Sequence, residues 1–127
     1  MDEQQHHEDL VKGIAEQMKP VLEKSGQGIY LYLDDTHKVC NKKFADMLGY
    51  KSPKEWADTE APLSDVIEAD QDIVIKAYMD ASEKLTASAV EVRFKNIKTE
   101  KTIKARMIIA PVGFGGHVFT AHFFSKI

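Results

Sequence analysis

The chain has 127 residues, 43% of them hydrophobic and 29% charged, with a formal net charge of −3. This is the composition of one ordinary globular domain with enough chain to bury its own core, and the acidic balance argues against a nucleic-acid partner, because phosphate binding needs a basic face. The single cysteine, Cys40, excludes an internal disulfide and a cysteine-built zinc site and fits a reducing cytoplasm, while the polar start MDEQQHHEDL is no secretory signal and no apolar run is long enough to span a bilayer.

Residues 1–25 read as an N-terminal amphipathic helix, regular from about residue 7, and residues 26–127 as the domain that follows. Leu10, Val11, Ile14, Met18, Val21 and Leu22 fall on one stripe, and Val11, Ile14, Met18 and Val21 alternate spacings of three and four. Two readings of this stripe stand side by side: it covers the domain's own core, or it is a dimer contact. Gly13 weakens the helix, and Pro20 kinks or restarts it.

Ser25–Gly28 breaks the helix, and Ile29 to Leu33 is a β-rich run. Asp34-Asp35-Thr36-His37 reads as a turn with His37 in solvent, and Lys38-Val39-Cys40 as a brief second strand of a tight hairpin. Asn41 is positioned to cap the next helix, whose inner face carries Phe44, Met47 and Leu48, and Gly49 stops it. Ser52-Pro53-Lys54-Glu55 combines a cap, a first-turn proline and a capping-box glutamate, and Trp56 follows. Pro62 to Ile67 gives one more helical turn. Asp70 is expected to cap the longest internal helix, Gln71 to Leu85, with Ile73, Val74, Ala77, Tyr78, Ala81 and Leu85 on its apolar face.

The last third reads as three strands. Val90, Val92 and Phe94 alternate with charged residues, as do Ile103, Ala105 and Met107, so these strands have one covered and one wet face. Gly113-Phe114-Gly115-Gly116 has hairpin chemistry, and Val118 to Phe124 is the final strand. There the alternation is ambiguous, because Val118, Thr120, His122 and Phe124 compete with Phe119, Ala121 and Phe123 for the inner face. Separated runs of strands and helices indicate an α+β domain with an antiparallel sheet.

The run Val39-Cys40-Asn41-Lys42-Lys43-Phe44-Ala45-Asp46-Met47-Leu48-Gly49-Tyr50, followed by Ser52-Pro53-Lys54-Glu55-Trp56, resembles the PAS domain family. PAS domains show a strand, an Asn, a Phe three residues on, an apolar pair, Gly-Tyr, and then a Ser-Pro-type helix start. The long helix and the three closing strands match in order, so the resemblance covers about residues 26 to 127. It implies a PAS fold: a five-stranded antiparallel sheet with short helices and one longer helix on one face. It also implies a stand-alone sensory or interaction module of signal transduction, homodimeric and cytoplasmic, with its output on an unknown partner protein.

The same resemblance implies a core that can open into a ligand pocket, lined by candidates Phe44, Met47, Trp56, Ile73, Ala77, Tyr78, Ala105, Met107, Phe119, Ala121 and His122. Large apolar side chains fill space, so a packed core without a cofactor is the first expectation, and a small apolar or aromatic ligand or a flavin the alternative. Cys40 lies on a strand, outside the Asn-Cys-Arg-Phe-Leu-Gln-like helix of the light-sensing subgroup, which argues against cysteinyl-flavin photochemistry. The long helix carries no histidine, which argues against haem. His6 and His7 point about 100° apart on a helix, and His117 and His122 fall on opposite strand faces, so no metal site is expected. No Ser-His-Asp pattern or phosphate loop has supporting context, and the chain does not read as an enzyme.

Overall fold

A computed structural model describes residues 2–127. Helix α1 spans Glu3–Gln17, with Asp2 as its N-cap, and α2 spans Lys19–Lys24. The expected single helix is therefore two, starting earlier than residue 7 and broken at Met18; Pro20 lies in the first turn of α2, where its missing N–H costs nothing. Strands β1 (Gly28–Asp34) and β2 (His37–Cys40) form the first hairpin, and the short helices α3 (Lys42–Leu48) and α4 (Pro53–Ala57) follow. Two 3-10 turns, Pro62–Asp65 and Glu68–Asp70, lead into α5 (Gln71–Lys84). Strands β3 (Ser88–Lys95), β4 (Thr102–Phe114) and β5 (His117–Lys126) close the chain. The sheet is five-stranded in the order β2-β1-β5-β4-β3, and every adjacent pair is antiparallel.

The caps follow the sequence with two exceptions. Asn41 caps α3, accepting from Phe44 N, and Ser52 caps α4, accepting from Glu55 N. Gly49 ends α3 in the left-handed region at φ 85°, where a Cβ would also lie 2.3 Å from Asn96 Oδ1. That close approach lets Asn96 Nδ2 donate to Met47 O and Ile97 N to Leu48 O, tying the β3–β4 turn to the end of α3. Asp70 does not cap α5 with its side chain. Its carboxylate instead accepts from Arg93 Nε at 3.0 Å, Arg93 Nη2 at 2.8 Å and the Arg93 amide at 2.8 Å. These bonds hold the Asp70 carboxyl below its usual range and pin the start of α5 to β3. Glu55 also differs slightly, accepting from Lys51 N rather than from the cap residue.

The core has two layers, one on each side of the sheet. The inner one packs Phe44, Leu48, Trp56, Val74 and Ala77 against Tyr30, Val92, Phe94, Ala105, Met107 and Phe124. The outer one packs Leu10 and Ile14 of α1 against Ile29, Leu31, Phe119 and Ala121. This resolves the ambiguous last strand: β5 lies between β1 and β4 and is covered on both faces, so residues of both of its side-chain sets are buried. Gly13 has a packing reason, since a Cβ there would sit 2.9 Å from the Phe114 ring.

Phe44 is buried within 5.4 Å, centroid to centroid, of the rings of Tyr30, Trp56 and Phe124. Phe44→Ala is expected to cost about 3–5 kcal/mol, the range for a large-to-small change in a closed core. A denaturant midpoint close to wild type would reject this placement.

Candidate functional site

The inner layer leaves one cavity of about 230 Å³, bounded by β1, the Pro62–Asp65 turn, α5 and β3–β5. Tyr30, Tyr32 and Asp35 line one side, Leu63, Val66, Val74, Ile75 and Tyr78 another, and Phe94, Met107 and His122 the floor. An apolar cavity of about 150 Å³ holds a benzene molecule, so this one has room for a single substituted ring.

Its polar groups come from β1 and β5, with Asp35 and Tyr78 at the edge. Tyr30 and His122 are directly opposite in the β1–β5 register and stack with centroids 3.9 Å apart. His122 Nε2 pairs with Thr120 Oγ1 at 2.9 Å, while Nδ1 has no hydrogen-bond partner among the described residues. Burial strongly disfavours the imidazolium and pulls the His122 pKa down to about 3, so this ring is neutral at ordinary pH. Tyr32 OH donates to Asp35 Oδ1 at 2.6 Å at the cavity edge. Burial, then the Asp35 carboxylate, pushes the Tyr32 phenol up, which keeps it a donor. Tyr78 meets Tyr32 edge to face at 5.3 Å. The arrangement is apolar in bulk with a few convergent hydroxyl and imidazole groups, which is the chemistry of a small-molecule pocket.

Of the residues expected to line a pocket, Tyr78, Met107 and His122 do so. Phe44, Trp56, Ala77 and Ala105 are packed core on the same sheet face, and Met47 packs against them. Four placements are corrected. Phe119 and Ala121 lie on the outer face beneath α1, because the inward set of β5 is Thr120, His122 and Phe124. Ile73 is 46% exposed, and Leu85 also faces solvent, because the buried stripe of α5 is Val74, Ala77 and Ala81. Tyr30, Tyr32 and Asp35 were missed, although the period-two spacing of the tyrosines marks them as one face.

The other singled-out side chains have structural roles. Cys40 is buried at the end of β2, and burial pushes its thiol up to about 12, far from a reactive thiolate. Trp56 is fully buried with the Lys38 ammonium 5.3 Å from its ring centroid. Lys38 is itself buried and donates to the backbone carbonyls of Asp35, Ala57 and Thr59. His37 is not solvated in a turn; it opens β2 and is buried. Of the proposed dimer-contact side chains, Leu10 and Ile14 are buried against the sheet, Val11, Met18 and Leu22 are half-buried, and Val21 is exposed.

Solved PAS domains share this architecture. A PAS domain of an HTR-like protein from Haloarcula marismortui aligns with a TM-score of 0.69 at 13% identity, over 97% of this chain and 99% of that one. A PAS domain from a two-component sensor histidine kinase aligns at 0.67 and 11%, over 91% and 98%. The Rhodobacter sphaeroides LOV protein aligns at 0.72 and 16%, over 91% of this chain and 68% of that one. No family model matches the sequence, and no curated protein does. The chain has the α+β PAS fold. Among the described residues no helix is long and apolar enough to cross a membrane.

Proposed function

We propose that this chain is a sensory and interaction module of signal transduction, not an enzyme, working as a cytoplasmic homodimer whose output lies on a partner protein. The observation that carries this reading is the PAS fold itself, which this chain has in common with a domain of a two-component sensor histidine kinase. The dimer half of the reading is supported by apolar side chains left outside the two core layers. Val21 on α2 and Ile108 on β4 are exposed, and Ile108 pairs across the sheet with the half-buried Phe123.

A second reading is favoured by the cavity. Three tyrosines, one neutral histidine with an unpaired Nδ1 and about 230 Å³ of space describe a pocket for a small molecule with one ring and one or two polar substituents. Native mass spectrometry of the untreated protein tests both readings at once. The first predicts a dimer, twice the 14.3 kDa chain mass, and a monomer at tens of micromolar sinks it. The second predicts an added mass that is retained by wild type and lost when Val74→Phe crowds the α5 side of the cavity; a bare chain that also binds no aromatic fragment in a screen sinks it.

A further inference from the structure

Four of the five histidines, distant in sequence, meet at one end of the sheet, outside the aromatic cavity. His7 comes from α1, His37 from the start of β2 and His117 from the start of β5, and His6 flanks them. The His7 ring stands edge-on to both His37 and His117, with centroids 5.3 Å apart in each case and an angle of 82°. Asp34 lies between two of them. Its Oδ1 is taken up by His37 Nδ1 at 2.7 Å and Thr36 N at 3.0 Å, while Oδ2 faces His7 Nδ1 at 3.6 Å. Donor atoms of His7, Asp34 and His37 all lie within 4.8 Å of one another.

Two further observations point to a ligand. The Nε2 atoms of His7 and His37 are both buried without a hydrogen-bond partner among the described residues, the exposed Glu3 carboxylate lying 3.7 Å from His7 Nε2, and the His37 side chain is only 4% exposed. Unpaired buried nitrogens are costly, and they cluster where something completes them. Imidazole nitrogens are the donors of borderline divalent cations, and a carboxylate bonded to the far nitrogen of a ligating histidine, as Asp34 is to His37 Nδ1, is the usual orienting partner.

We infer that His7, Asp34 and His37, with His117 at their edge, form a binding site for a zinc-class divalent cation that fastens α1 to the β1–β2 hairpin. The site joins the N-terminal helix to the domain, so its occupancy controls how firmly that helix is held. Neither the PAS fold nor the aromatic cavity requires it.

The test uses the untagged full chain, stripped with chelator, titrated calorimetrically with zinc chloride. One ion per chain is expected, and His7→Gln and Asp34→Asn should each weaken binding by at least about 10-fold. His6→Gln should leave it within about threefold. At zinc 100-fold above its Kd the wild-type Tm should rise by ~10 °C. Four results overturn the inference: no binding at millimolar zinc, a His7→Gln variant that binds as wild type, an equal loss in His6→Gln, or binding that leaves Tm unchanged. Should Asp34→Asn or His7→Gln fail to fold, the cobalt(II) form of the wild type decides. Intense visible bands of a four-coordinate nitrogen and oxygen site support the inference, and the weak bands of an aqueous octahedral ion overturn it.

Discussion

Asn41→Ala is expected to lower stability by about 3–5 kcal/mol, well beyond the cost of an ordinary helix cap. The Asn41 side chain is buried and uses all of its hydrogen-bonding capacity. Its Oδ1 accepts from Ile29 N at 2.9 Å and Phe44 N at 3.0 Å, and its Nδ2 donates to Leu22 O at 3.1 Å and Gln27 O at 3.0 Å. One side chain thus joins the end of α2, the start of β1 and the start of α3. Losing a cap costs roughly 1 kcal/mol, and each buried backbone group left without a partner costs about 1–3 kcal/mol more. Asn41→Asp keeps both accepting bonds and loses both donating ones, so its denaturant midpoint should fall between those of wild type and alanine. An alanine variant within about 1 kcal/mol of wild type would show that water replaces the side chain and that the junction is not specified here.

Deleting residues 1–24 should destabilise the domain itself as well as change any assembly. Leu10 and Ile14 are buried on the outer sheet face, and burying each such side chain contributes about 1.5–3 kcal/mol. The deletion also removes Leu22 O, one of the Asn41 partners. What remains exposes Ile29, Leu31, Phe119 and Ala121 as one apolar patch across the two central strands. The truncated chain should bind the dye ANS in native buffer, unfold at lower denaturant and aggregate at concentrations where the full chain does not. A soluble truncated protein with an unchanged midpoint and no dye binding would falsify the capping role and return α1 to a pure dimer element.

The fold was readable because its punctuation is local. Gly49, Ser52 and Pro53 act within one turn of themselves, as Asn41 does in its capping bond to Phe44 N, and each has the role its residue type predicts. Asp70 misled because a helix-starting aspartate has a local use, while its actual partner, Arg93, lies 23 residues on and wins with a paired-charge geometry. The cavity was readable only in small part. Tyr78, Met107 and His122 were placed there from their elements, but Phe119 and Ala121 needed the knowledge that β5 is central and that α1 covers its outer face. A strand buried on both sides carries no parity signal of its own. The histidine cluster was illegible for a related reason: positions 7, 37 and 117 share no periodicity, and only the strand order brings them together.

The strand order also sets a schedule. The first strand formed during synthesis, β1, has β5 as its partner toward the sheet centre, and Gly28 lies opposite Phe124. Until the final segment is made, β1 has only the short β2 beside it and one bare edge. A two-stranded hairpin is marginal in water, and pairings across nearly the whole chain close slowly. Helix α5 is therefore complete before the strands it packs on, β3 to β5, exist. Folding of this domain therefore waits for its last strand, and the segment that commits it is also the one that delivers His122 to the cavity and His117 to the histidine cluster.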